Sequence, residues 1–288
     1  MKTYKSELLL IQKFITYVLL VFFALLIITP FVWMLCGAFK SNADQFNHLF
    51  LPMGDGFLGV DWSRLTLEHI FTVYGDLRFG NSMMNSFFLA SVISLTSTFF
   101  AAMGGYTLAK FDFRGRKLCN YIVFLCLIVP PSLMLAPVYE LLYQMGLLNT
   151  YWALLLPSMS SALGVFLFRQ TCINSIPDEL LDAARIDGAS EWRIFIQIVI
   201  PIIRPMIGAF ILISFLGIWN NFLQPQLYLQ DEYKLPLSVA ISQLLGAYAT
   251  NYGAISAGTL ISVAPVVMLF IFLQKEFITG LTRGAVKG

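Results

Sequence analysis

Charge is scarce in this chain. Asp, Glu, Lys and Arg make up 12% of its 288 residues, against roughly 25% in a soluble domain. Hydrophobic residues make up 58%, and the mean hydropathy is +0.76. Water cannot cover so apolar a surface, so the natural solvent is a bilayer. A net charge of +2 is too small to suggest nucleic acid as a partner. Histidine is almost absent: His48 and His69 both fall in one polar loop. The four cysteines, Cys36, Cys119, Cys126 and Cys172, lie in or beside apolar segments. Their spacing fits neither a metal site nor a disulfide framework, and they read as small core residues. No polar stretch is long enough for a second domain, so residues 1–288 are expected to form one membrane domain.

Long apolar runs, in contrast, are abundant. A helix rises about 1.5 Å per residue, so crossing about 30 Å of hydrocarbon takes roughly 20 apolar residues. The runs predict six spans near 14–39, 82–109, 118–138, 151–171, 205–224 and 255–274. The first run exceeds a signal-peptide core of roughly 7–15 residues and lacks a small-residue cleavage site, so it is expected to stay as a span. Pro30, Pro130-Pro131, Pro157 and Pro265 interrupt these runs and predict kinked, closely packed helices. Ala101, Gly105 and Ala109 place a small residue at every fourth position of span two, a stripe that admits a neighbouring helix.

Orientation follows from Lys and Arg. With both termini in the cytoplasm, the inner segments hold fourteen cations, and the outer segments hold four: Lys40, Arg64, Arg78 and Lys234. Acidic residues divide evenly and do not decide. Lys110, Arg114, Arg116 and Lys117 anchor spans two and three to the inner face. No Asp, Glu, Lys or Arg lies in the middle of an expected span. Ion-coupled transporters usually need such a group, so the driving force must come from elsewhere.

The long inner interruption, residues 175–201, reads as two short helices joined by a turn. Ser175 is placed to cap the first, with Pro177 and Asp178 in its opening turn. Gly188 suits the left-handed residue that ends it, and Ser190 the cap of a second helix running to Pro201. Leu180, Leu181, Ala184 and Trp192 supply an apolar surface. Arg185, Asp187 and Arg193 supply polar edges. An amphipathic interfacial hairpin is one reading. The cluster of small residues, Ala183, Ala184, Gly188 and Ala189, favours a surface that another protein approaches.

The stretch Asp182-Ala-Ala-Arg-Ile-Asp-Gly-Ala189 followed by Ile198-Val-Ile-Pro201 resembles the EAA loop of permease subunits in binding-protein-dependent ABC importers. Asp182 stands where that family usually has Glu. Further stretches are similar to its carbohydrate-importing, maltose-type branch: Asn85-Ser86, residues 106–117, residues 146–153 and residues 219–222. The tail, residues 280–288, is similar to the end of that branch's second permease subunit.

The resemblance implies an all-α membrane protein of six transmembrane helices, with a cytoplasmic two-helix coupling loop between spans four and five. The core permease fold would cover about 82–278, preceded by the first span and long outer loop at 14–80. It implies a second homologous permease subunit, two cytoplasmic ATP-binding subunits and an extracytoplasmic solute-binding protein, in the cell membrane of a prokaryote. ATP and Mg would belong to those partners; the chain has no phosphate-binding Gly-rich Lys-Ser/Thr loop. No catalytic residue, cofactor or metal is expected on it. Glu179, Asp182, Ala183, Ala184, Asp187, Gly188 and Ala189 would meet an ATPase subunit. Sugars need amides and hydroxyls beside aromatic faces. Asn85, Ser158, Ser161, Trp219, Asn220 and Asn221 are the candidates for the solute path, although Ser and Asn in spans also bind neighbouring helices. The alternatives are a glycerol-phosphate-type or other solute on the same architecture, or a stand-alone secondary transporter or channel.

Overall fold

The computed structural model describes residues 2–76, 79–244 and 251–285. Arg78, part of the outer loop near 226–252, and the tail end at 286–288 with Lys287 lie outside the described residues. For residues 2–9, 76 and 279–285 only the backbone is described. Among the described residues the chain is helical, with two isolated bridges, Lys40–Leu65 and Met53–Val60, and no strand.

The α-helices in order are α1 (Lys2–Phe39), α2 (Asp44–Asn47), α3 (Glu68–Asp76), α4 (Phe79–Lys110), α5 (Arg116–Ile128), α6 (Leu135–Gln144) and α7 (Trp152–Ser158). They continue as α8 (Ala162–Ser175), α9 (Asp178–Ile186), α10 (Glu191–Ile194), α11 (Ile200–Trp219), α12 (Leu223–Tyr228), α13 (Leu237–Ser242) and α14 (Tyr252–Ala285). Among the described residues, five helical segments are long and apolar enough to cross a bilayer: Leu10–Phe39, Phe79–Lys110, Trp152–Ser175, Glu191–Trp219 and Tyr252–Ile278. A bent pair, Arg116–Ile128 with Pro131–Gln144, makes a sixth if counted as one.

The expected first, second and sixth spans fall within α1, α4 and α14. The third does not form one rod: its two halves meet at 98°. Pro131 lacks an N–H and pushes the residue before it out of the α region, so Pro130 is extended at φ −62°, ψ 128°. The 13 residues of α5 reach only about 20 Å, short of a full crossing. The fourth span breaks after Pro157, and Ser161 restarts it by accepting a bond from Gly164 N. The fifth span is shifted: it begins at Glu191 and ends at Trp219, not at 205–224. Pro201 cannot donate to the residue four back. A π turn over Phe195–Val199 precedes it, in which Ile200 N–H reaches Phe195 O. The helix thus runs through Pro201 and Pro205 without stopping. The second helix of the hairpin is therefore the start of the fifth span.

The chain divides into two compact units. The first holds residues 1–79 and 241–263. Its α1 exposes its apolar side chains almost throughout, leaving them for lipid or another subunit. The loop after α1 is pinned by buried polar groups. Lys40 is fully buried, and its ammonium donates to His48 O at 2.8 Å. His69 Nε2 lies 2.8 Å from Lys40 O, and Arg64 pairs with buried Asp44. Burial pushes the Lys40 ammonium pKa down. A side chain at Gly37 would press on Ser256 Oγ at 3.0 Å, which explains a glycine there.

The second unit holds residues 80–240 and 264–288. It has two cores. One gathers Ala101, Tyr106, Phe168, Cys172, Leu181, Ile194, Phe195 and Phe210. The other gathers Leu89, Ile93, Leu142, Leu154, Tyr228 and Val239. The small-residue stripe of α4 serves the first core. A Cβ on Gly105 would meet Phe168 Cβ at 2.6 Å, and one on Gly164 would meet Ala101 Cβ at 2.7 Å. The backbones of α4 and α8 thus approach as closely as glycine allows.

Candidate functional site

The hairpin is built around a helix end. Ser175 does not cap α9; it is the last residue of α8, and Ile176 and Pro177 run extended before α9 starts. The expected cap fails because the preceding helix continues through Ser175. Pro177 supplies the fixed φ that opens α9, with Asp178 and Glu179 in the first turn, where the helix dipole favours carboxylates.

At the other end, Ala189 N donates to Ala184 O and Gly188 N to Arg185 O, both at 3.0 Å. This is a Schellman closure, and it places Gly188 at φ +80°. Ser190 then caps the next helix through Arg193 N.

One face of the hairpin is sealed. Leu181 and Ala184 are buried in the first core with Tyr106, Ile176, Ile194 and Phe195. Arg185 bridges the two helices: Nε donates to Glu191 Oε1 at 2.7 Å, and Nη1 to Asp182 Oδ1 at 2.9 Å. The bond to Glu191, with Asp182 beside it, raises the guanidinium pKa still further. Tyr106 of α4 reaches Glu191 at 3.5 Å. Lys110, the last residue of α4, donates to Ile176 O and Asp178 Oδ1, both at 2.6 Å.

The other face is open. Glu179, Asp182, Ala183, Asp187 and Gly188 are exposed, Ala189 is half-buried, and Ala184 points inward. Ile186 is 86% exposed, with Leu180 and Trp192 exposed near it in sequence. Sequence reasoning passed over Ile186, Lys110, Tyr106 and Glu191 as members of this site. Ile186 carried a signal: two positions past Ala184 it lies about 200° round the helix, an apolar residue out of phase with the buried face.

The candidate solute-path residues fall in different settings. Ser158 and Asn221 meet, with Ser86 and Gln224, in a cavity of about 10 Å³. Asn85, Ser161, Trp219 and Asn220 do not line it. Asn85 donates to Tyr233 O at 2.7 Å and Leu235 O at 3.1 Å, and accepts from Tyr151 at 2.9 Å. Ser161 caps α8. Trp219 is buried and stacks on Phe215 at 5.5 Å. Asn220 is exposed and donates to Leu216 O.

Residues 99–280 match the family model described as binding-protein-dependent transport system inner membrane component. The chain belongs to this family. It is the membrane component of a transport system rather than an enzyme. Among its relatives is the arabinooligosaccharides transport system permease protein AraQ of Halalkalibacterium halodurans. That protein is 35% identical over 93% of this chain and 94% of its own. The lactose transport system permease protein LacG of Rhizobium radiobacter is 31% identical over 92% of each. The sn-glycerol-3-phosphate transport system permease protein UgpE of Pectobacterium atrosepticum is 32% identical over 70% of this chain and 73% of its own. A bacterial ABC transporter involved in the import of the acidic polysaccharide alginate contains a chain of the same fold. It gives a TM-score of 0.78 at 24% identity, covering 93% of this chain and 96% of that one.

Proposed function

We propose that this permease imports a sugar or oligosaccharide by alternating access, driven by two cytoplasmic ATPase subunits that hold ATP and Mg. It pairs with a second, homologous permease, and an extracytoplasmic solute-binding protein delivers the solute. In this reading residues 1–288 form one transmembrane domain with a core at about 82–278, and both termini are cytoplasmic.

One observation carries the coupling role. The α9–α10 hairpin is fixed to α4 by Lys110, and its second helix is continuous with the fifth span, while Ile186 and the Gly188 turn face outward. A push on the exposed turn is therefore delivered to two spans. Glu179, Asp182, Ala183, Asp187, Gly188 and Ala189 form the docking surface in this proposal, and Ala184 holds it from beneath.

The relatives' printed substrates, arabinooligosaccharides and lactose, support a carbohydrate. So does the lining of the small cavity: Ser86, Ser158, Asn221 and Gln224 offer hydroxyls and amides and no charge. A glycerol-phosphate solute, suggested by the third relative, would want a cation there. At about 10 Å³ the cavity holds about one water, so passage requires its walls to part. In this proposal Asn85, Ser161, Trp219 and Asn220 belong to the solute path outside this cavity.

Reconstitution tests the proposal. Proteoliposomes containing this chain, its companion permease and ATPase subunits should take up an oligosaccharide only with ATP and the binding protein. Uptake by this chain alone would overturn it.

A further inference from the structure

The second unit carries a cationic pocket outside the hairpin. It has a volume of about 450 Å³ and lies between the 111–115 turn, the start of α5 and α8. Arg116, Lys117 and Arg169 line it with Asn120, and Asp112 is the one carboxylate in the lining.

Most of this charge is uncommitted. Arg116 spends Nε on Leu108 O at 3.0 Å and Nη2 on Ala109 O at 2.8 Å, closing the end of α4. Its Nη1 makes no bond among the described residues. Arg169 donates from Nη1 to Gln170 at 3.3 Å, yet its buried Nε has no partner among the described residues. Lys117 is exposed and unpaired among them. A buried guanidinium N–H without an acceptor is costly, and an oxyanion would satisfy it.

A second observation identifies the carrier of that oxyanion. Tyr121, Phe124 and Ile128 follow Lys117 along α5 at helical spacing and are 66%, 44% and 76% exposed. A cationic pocket opening onto an apolar stripe has the shape of an amphiphile. We propose that it binds the phosphate headgroup of an anionic membrane lipid, with an acyl chain along the α5 stripe. The inner-leaflet location rests on the orientation proposed above.

Native mass spectrometry of the detergent-purified complex, loaded with phosphatidylglycerol or phosphatidylcholine, tests the site. The wild-type chain should retain phosphatidylglycerol preferentially. Lys117→Gln and Arg169→Gln should each reduce that retention roughly fivefold, and Arg114→Gln, outside the lining, should not. Arg116 is spared because it closes α4. Tyr121→Ser with Ile128→Ser should also reduce retention. A free-phosphate site would ignore that pair, and that result overturns the lipid assignment. Unchanged retention in Lys117→Gln and Arg169→Gln overturns the site. Orientation is read separately from Arg114→Cys in a chain lacking Cys36, Cys119, Cys126 and Cys172. Labelling by an impermeant thiol reagent in intact cells would reverse the leaflet without touching the retention result.

Discussion

Lys110 and Asp178 join the end of the second span to the first turn of the hairpin at 2.6 Å, and the two partners are unequal. The Lys110 side chain is 7% exposed and that of Asp178 is 76% exposed. A pair so open on one side contributes about 0–1 kcal/mol. The same ammonium also donates to Ile176 O, a charge-assisted bond contributing about 1.5–3 kcal/mol. Lys110→Met should therefore destabilise the complex by about 2 kcal/mol and lower uptake per ATP hydrolysed. Asp178→Asn should cost less than about 1 kcal/mol and leave coupling nearly intact. Thermal melting and paired ATPase and uptake assays on both variants check the ranking.

Gly188 sits at φ +80° with open space where a side chain would go. The penalty for substitution is thus backbone strain of about 1–2 kcal/mol, not a clash within the chain. Gly188→Asn, which tolerates that conformation, should keep most uptake. Gly188→Asp places a charge on the proposed docking surface and should uncouple ATP hydrolysis from uptake while the chain still inserts. Uptake equal to wild type in Gly188→Asp would remove the turn from the docking surface.

The α4–α8 contact predicts a contrast among glycines. Gly105→Ala and Gly164→Ala force atoms within 2.6–2.7 Å of Phe168 and Ala101, and each should cost about 1–3 kcal/mol. Gly217→Ala meets open space and should be neutral, or stabilising by about 0.5–1 kcal/mol. Melting temperatures of the purified complex decide.

Asp182→Glu should be close to silent, because a carboxylate one methylene longer still reaches Arg185 from an exposed position. Arg185→Lys should not be: an ammonium cannot hold Asp182 and Glu191 in the fixed fork that joins the two helices. Its uptake should fall several-fold with ATPase activity retained, measured in the same membranes.

The spans were legible because apolar length is a strong signal, and the Gly188 turn because only a left-handed residue closes the α9 end that way. The bend at Pro130-Pro131 was visible as a breaker, but its 98° size depends on how α6 packs into the second core. The fifth span was misplaced because Pro201 and Pro205 look like stops, and a π turn that absorbs Pro201 leaves no mark in residue order. Ser175 looked like a cap for the same reason: local pattern cannot show that the preceding helix continues through it. The roles of Tyr106 and Lys110 in the hairpin come from packing between segments 66–85 residues apart, which periodicity does not record. Asn85 was expected on the solute path for its amide. In the fold that amide makes three bonds, to the connection after α12 and to Tyr151.

If the α9–α10 turn seats in an ATPase subunit, Ile186 lies against that partner. Cross-linking from Ile186→Cys, in a chain otherwise free of cysteine and assembled with its partners in membranes, tests it directly. A cross-link to the ATPase subunit whose yield changes when ATP binds is expected, and none from Arg64→Cys in the loop after α1. An Ile186→Cys chain that transports normally, yet cross-links only to lipid or to the companion permease, would contradict that seating.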